Sequence, residues 1–245
     1  MRNLLLKISY DGKNYHGWQV QENATAVQSV FQEALEKVIC EKTDIKGCSR
    51  TDSGVHALEY AVSFKTTRDI PCINLVYALN RFLPPDIAAI SCEEVSEDFH
   101  ARYSCKGKEY VYKIWNSPVR NAFLADRVHN FRYPMDIEKM NRAAKHFIGK
   151  HDFTSFCTGD NREMKDMERT VFDASVTKNG EMVEFTVSAD GFLYNMVRIM
   201  MGTLIEVSQG RMDPDSIPER IEMKNRKAAG PTAPASGLYL NKVFY

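Results

Sequence analysis

The chain has no excess of either charge: 32 lysines and arginines stand against 32 aspartates and glutamates. Overall charge therefore selects no partner, and any surface for a polyanion must come from local clustering. The six cysteines, Cys40, Cys48, Cys72, Cys92, Cys105 and Cys157, include no C-x-x-C pair. That excludes the spacing of zinc ribbons and of thioredoxin-like redox sites. No apolar run approaches the roughly 18 residues of a membrane span, and the longest candidate, MVRIMMGTLI, is short and carries an arginine. With no apolar signal segment at the start, the thiols are expected to be reduced and the protein soluble and cytoplasmic. Low-complexity segments and linkers are also missing, and a hydrophobic content of 44% over 245 residues is enough to bury a real core.

What is present is a repeated order of elements. Leu4, Leu6, Ile8 and Tyr10 recur at period two, which predicts a strand. Val27, Val30, Phe31, Ala34, Leu35, Val38 and Ile39 recur at helical spacing, with Thr25 and Gln28 placed to form a capping box. A short strand through DIKGCS and a longer one in LEYAVSFKT follow. A helix over CINLVYALNRF is led by Pro71 and stopped by the prolines at 84 and 85, and IAAISCEEV reads as a strand. From residue 105 the order recurs. CKGKEYVYKIW is a strand, and a helix over 136–148 ends on Gly149. The strands TVFDASVTK and EMVEFTVSA flank an Asn-Gly turn. LYNMVRIMMGTLIEV is a helix, and GLYLNKVFY a closing strand.

This order predicts an α+β fold of two tandem ferredoxin-like (β-α-β-β-α-β) halves, 1–104 and 105–245, with mostly antiparallel sheet. The boundary is soft, because two such sheets can join edge to edge. The cleft between the halves is where a catalytic site is expected.

The stretch GCSRTDSGVHA, residues 47–57, is good turn material, since Asp and Ser bond nearby backbone and Gly accepts a positive φ. It also sets Asp52 on a loop between two strands, where catalytic groups concentrate. An aspartate, with a reference pKa of about 3.9, is ionised near neutral pH and is a nucleophile without a partner base. Arg50 is placed to orient it. His56 ranks below Asp52, because a single histidine beside a strand is more often a structural hydrogen-bonder.

Arg198 is the only charge in YNMVRIMMGTLIEV before Glu206, in a helical row with Tyr194 and Gly202, the latter open to close backbone approach. It is either a rim arginine that reaches solvent or a buried one that needs a carboxylate, Asp52 being one candidate. ARYSCKGKEYVYKIW interleaves Arg102, Lys106, Lys108 and Lys113 with Tyr103, Tyr110, Tyr112 and Trp115. A plain strand accounts for half of that pattern. Cations with stacking rings are also what an RNA contact needs. Tyr110 and Tyr112 share a face, so that one can reach a cleft while the other packs inside it. YDGKNYHGWQVQ reads as a surface Ω-loop, with an RNA-contacting loop as the alternative, and KNRKAAGP as a solvated basic patch.

SRTDSGVHA, FHARYSCKGKEYVY, DFTSF, MVRIMMG and GLYL, in this order across nearly the whole chain, closely resemble the tRNA pseudouridine synthase A (TruA) family. The resemblance implies that Asp52 is the catalytic aspartate, that Tyr110 lies against the target uracil and that Arg198 pairs with the carboxylate. It further implies that Arg50 helps prise out the base and that Leu238 is an apolar position near the pocket. Implied with these are a homodimer, no metal or cofactor, and action on tRNA uridines on the 3′ side of the anticodon stem-loop, positions 38 to 40. Many members have glycine and alanine where this chain has Ser49 and Ser53, and several carry more arginine around the tyrosine than KEYVY offers.

Such an isomerase breaks the N1–C1′ bond of a uridine, turns the base and rejoins it through C5. The target must leave its stack, which costs a few kcal/mol, offset by phosphate contacts and stacking on a ring such as Tyr110. Asp52 can attack C1′, add to C6 or remove the 2′ proton. Tyr110 can stack or serve the C5 proton. A tRNA-binding protein or chaperone without chemistry is the alternative class. A glycosidase would want two facing carboxylates, and only one stands out.

Overall fold

A computed structural model describes residues 1–159 and 166–245. It is a mixed α+β structure, mostly antiparallel in its strands, with five α-helices among the described residues. The chain forms two compact units, Met1–Lys106 with Leu240–Tyr245, and Gly107–Tyr239.

In the first unit β1 (Arg2–Tyr10), β3 (His56–Thr66) and β4 (Ile87–Val95) pair antiparallel, and β2 (Lys46–Gly47) pairs with β3. The strand order is β4-β1-β3, with β10 (Leu238–Phe244) on the other side of β3. Period two holds in the register: Leu4 faces Phe64, Leu6 faces Val62 and Ile8 faces Tyr60, all buried. Burial goes further than alternation requires. Leu5, Ala61 and Ser63 are buried as well, so the middle of the sheet is covered on both faces.

Helix α1 (Val27–Ile39) buries Val27, Phe31, Ala34 and Leu35. Its N-terminus corrects the capping box. Ala26 is the N-cap and makes no side-chain bond. The first amides, Val27 and Gln28, donate instead to the main-chain oxygens of Gly17 and Trp18 at 3.1 and 3.0 Å. A neighbouring loop supplies the carbonyls that Thr25 was expected to replace. Helix α2 (Cys72–Phe82) starts after Pro71 and ends at Leu83, as the prolines predict. Asn80 pins it to β4, its amide donating to Ala89 O at 2.9 Å and accepting from Ala89 N at 2.8 Å. This covers peptide groups on the side of β4 away from β1.

The second unit has strand order β5-β9-β8-β7, from β5 (Gly107–Trp115), β9 (Met182–Ala189), β8 (Glu168–Asn179) and β7 (Gly149–Asp152), with β6 (His129–Asn130) parallel to β5. The Asn-Gly hairpin forms with Gly180 at φ +57° and Asn179 paired with Met182. Helix α3 (Ile137–Lys145) buries Met140, Ala143 and Ala144, and its Asn141 grips Val176 of β8 through both amide atoms, at 2.6 and 2.7 Å. It stops earlier than predicted. His146, Phe147 and Ile148 close in tighter turns on residues 143–145, and Gly149 begins β7 rather than capping the helix. Helix α4 (Met196–Ser208) is buried over most of its surface. It starts later than its apolar pattern predicts, because Asn195 sits at φ +62° and leaves Tyr194 outside the helix. The last of the helices is α5 (Ile217–Glu222).

Candidate active site

Asp52 is half-buried on the loop between β2 and β3, and that loop is gripped from within its own unit. The Thr51 carbonyl accepts from Trp18 N–H at 3.3 Å, Val55 N–H returns to Asp52 O at 3.1 Å, and Gly54 N–H reaches Tyr15 O at 3.2 Å. The Thr51 hydroxyl pairs with Tyr10 at 2.9 Å. Approach this close needs glycine opposite. A Cβ on Gly17, whose φ is +81°, would lie 2.2 Å from Thr51 O, and one on Gly12 2.0 Å from Val55 O. The segment YDGKNYHGWQVQ is therefore a clamp on the Asp52 loop. Glycines at 12 and 17, flanked by rings, were the available signal for it.

Rings support the other side of the loop. Trp18 and Tyr60 stack at 4.1 Å and 27°, with Tyr10 tilted against Tyr60 at 5.7 Å. All three are buried. The Tyr60 hydroxyl donates to Ser49 O, one residue from Arg50. Main-chain bonds on one flank and an aromatic cluster on the other hold the backbone of this loop at Asp52. Ser53 and Gly54, the latter at φ +77°, are the turn. Arg50 is exposed on the same loop and lines a groove of this unit together with Arg102 and Tyr103. His56 is buried, and its Nδ1 accepts from Gly12 N–H at 3.0 Å, with Asp11 Oδ1 equally close. This is a structural role that ties β3 to the clamp.

Tyr110, Arg198 and Leu238 belong to the second unit. Tyr110 pairs with Val187 across β5 and β9, is 6% exposed, and meets Phe192 edge-on at 5.0 Å. Tyr112, on the same face, packs inward. Its hydroxyl donates to Pro234 O at 2.7 Å, and burial pushes its phenol pKa up, opposed by the Arg198 charge. Gly237 lies against the Tyr112 ring, where a Cβ would come within 2.6 Å, and the buried Leu238 follows it. The Arg198 charge thus acts on the Tyr112 phenol, and Leu238 follows the glycine that lies on the Tyr112 ring.

Arg198 is half-buried near the start of α4. Its Nε donates to Ala233 O at 2.7 Å and its Nη1 to Asn195 Oδ1 at 2.8 Å. Gly202, one turn on, lets the backbone of Pro231 approach so closely that a Cβ would sit 1.7 Å from its oxygen. The close approach anticipated at that glycine is the one that sets Arg198 against residues 231–233. The segment KNRKAAGP is more than a solvated patch. Arg226 donates to Gly230 O at 2.8 Å and Thr232 Oγ1 at 3.1 Å, holding the same segment, and burial lowers its pKa.

DFTSF is structural in this unit. Phe153, Ser155 and Phe156 are fully buried, and Ser155 Oγ accepts from Asn225 N–H at 2.9 Å. Burial alone would raise the Asp152 carboxyl, but Lys224 at 2.8 Å and the Thr154 hydroxyl and amide outweigh it and hold the carboxyl low. All six cysteines are free thiols, and burial raises those of Cys92 and Cys157. Among the described residues no group of three or more His, Cys, Asp or Glu side chains could hold a metal ion, and no helix is long and apolar enough to cross a membrane.

The sequence profile described as tRNA pseudouridine synthase matches residues 7–104 and 143–245, a span that includes the clamp, the Asp52 loop, Arg198 and Leu238. The chain is 49% identical over its full length, and that of the relative, to tRNA pseudouridine synthase A of Acetivibrio thermocellus. It is 44% identical to the protein of that name from Thermoanaerobacter sp. (strain X514), again over both full lengths, and 46% identical to that of Ruminiclostridium cellulolyticum, also over both full lengths. With a profile match across most of the chain and full-length relatives near half identity, the chain belongs to the tRNA pseudouridine synthase family.

Proposed function

We propose that Asp52 is the catalytic carboxylate of this isomerase and that its targets are uridines on the 3′ side of the tRNA anticodon stem-loop. The overall reaction is the isomerisation of uridine to pseudouridine in tRNA. In it the N1–C1′ bond breaks, a C5–C1′ bond forms, the C5 proton is released and N1 gains a proton, so no redox partner is consumed. The observation that carries the Asp52 assignment is the double grip on its loop by the Gly12–Trp18 segment and the Tyr60 cluster. A carboxylate so held can attack C1′, add to C6 or take the 2′ proton, and all three uses need the same ionised group.

In this reading Tyr110 lies against the uracil, Arg198 pairs with the carboxylate, Arg50 helps draw the base out of its stack and Leu238 supplies apolar surface. The half-burial of Arg198 and the buried Tyr110 ring favour these roles. Ferredoxin-like organisation of each half is supported by the order β4-β1-β3 with β2 beside β3, and by β5-β9-β8 in the second unit. A homodimer working in the cytoplasm completes the proposal, on the family's precedent, and sedimentation velocity would read the dimer as twice the 28.0 kDa chain mass.

The test is tritium release from 5-labelled uridine in tRNA by the wild-type protein and Asp52→Asn. Release should be lost in the variant while tRNA binding survives. Equal release from both proteins would remove Asp52 from the chemistry. No release from either would favour a tRNA-binding protein or chaperone over an enzyme.

A further inference from the structure

The first unit holds a groove of about 290 Å³ whose walls include Lys46, Arg50, His100, Arg102 and Tyr103. Of these only Arg50 has a role in the reaction proposed above. Three cations and one carboxylate, Asp44, line it, and Asp44 is paired with Lys46. Arg50 and Arg102 have no carboxylate partner among the described residues. The groove is cationic although the chain as a whole carries no net charge.

Tyr103 is 78% exposed, an unusual place for a large ring that contributes nothing to the core. It is nonetheless held. His100 lies against it at 4.4 Å, and the Arg102 guanidinium is 5.9 Å from its centroid. The turn beneath is closed on itself. His100 Nδ1 accepts from Arg102 N–H at 3.0 Å, Ser104 N–H donates to His100 O at 2.9 Å, and the Ser104 hydroxyl accepts from His100 N–H at 3.1 Å. With Nδ1 accepting, a neutral His100 carries its proton on Nε2. Ala101 anchors the turn, its N–H donating to the buried Ser63 hydroxyl at 2.9 Å and its carbonyl accepting from Tyr245 OH at 2.7 Å. The ring and guanidinium stand on a fixed base rather than a mobile loop.

An exposed ring on a rigid turn, beside two guanidinium groups without carboxylate partners among the described residues, has the chemistry that stacks an unpaired base and meets its phosphates. We propose that this groove is a second contact for the tRNA substrate, in which an unpaired nucleotide stacks on Tyr103 while Arg102 and Arg50 hold the flanking phosphates. The inference rests on the assignment of tRNA as substrate. It adds Tyr103, Arg102 and His100 to the substrate-binding surface, as positioning residues and not as groups that touch the reacting uridine.

The experiment uses full-length protein and unmodified tRNA, with Kd measured over a salt series and KM and kcat from tritium release. Tyr103→Ala should weaken binding about tenfold, and Tyr103→Phe should restore it, since stacking uses the ring face. Arg102→Gln should lower the slope of log Kd against log salt by about 0.7 to 1, the share of one phosphate. The losses should fall on KM rather than kcat, and thermal stability should hold because Tyr103 is exposed. Wild-type Kd and salt slope in Tyr103→Ala and Arg102→Gln would overturn the groove while leaving the isomerase intact. Failure of Tyr103→Phe to rescue would overturn stacking. Loss of tritium release from wild-type protein would instead strike the proposed reaction, and the Kd series would still decide the groove.

Discussion

Replacing Gly17 by alanine tests whether the clamp fixes the Asp52 loop. Gly17 has φ +81°, and the added Cβ would lie 2.2 Å from Thr51 O, which also accepts the Trp18 amide. An L-residue in this region costs about 1 to 2 kcal/mol. The contact is with backbone, so relief must come from moving Thr51 and with it Asp52. A displacement of about 1 Å in a catalytic group can cost on the order of 100-fold in rate. Gly180 provides the control, since it has φ +57° and nothing within 4 Å of an added Cβ. Gly180→Ala should lose a similar 1 to 2 kcal/mol or so in urea unfolding and keep its kcat, whereas Gly17→Ala should lose stability and about two orders of magnitude in tritium release. Wild-type kcat in Gly17→Ala would refute the clamp.

Tyr60→Phe removes the donor to Ser49 O from a fully buried ring, and should cost about 1 to 2 kcal/mol by thermal or urea unfolding. Gly202→Ala forces a Cβ against Pro231 O. It should destabilise by about 1 to 3 kcal/mol and lower kcat by loosening the segment that bonds Arg198 Nε, read by unfolding and tritium release together. Lys224→Ala tests the low Asp152 carboxyl. A group whose folded pKa is depressed adds stability above its unfolded value, about 3.9, and loses it as pH falls toward the folded one. The variant should therefore be less stable at neutral pH and flatter on acidification, its urea midpoint converging with wild type once Asp152 is protonated in both. A constant offset down to low pH would show that the ion pair is not the cause.

Periodicity and turn chemistry alone determined the longer elements, though not β6, β7 or α5: the alternation of Leu4 to Tyr10 and of Tyr60 to Phe64, the apolar row from Val27 to Ile39, the proline brackets of α2 and the Asn-Gly hairpin are local facts, set by neighbours within a turn or a pleat. So was the position of Asp52 on a turn. The element ends were less legible. Gly17 and Trp18 cap α1 in place of Thr25, and Asn195 in the left-handed region begins α4, because a helix end is satisfied by whatever polar group the rest of the chain brings to it. The site's supports were hidden for the same reason. Tyr10, Trp18 and Tyr60 meet across gaps of 8 to 50 residues, Tyr112 finds Pro234, and Arg198 finds Ala233. The sequence determined that Asp52 stands on a turn, and only the tertiary structure decided what holds that turn still, since contacts between distant segments follow from the return path of the chain and leave no period to read.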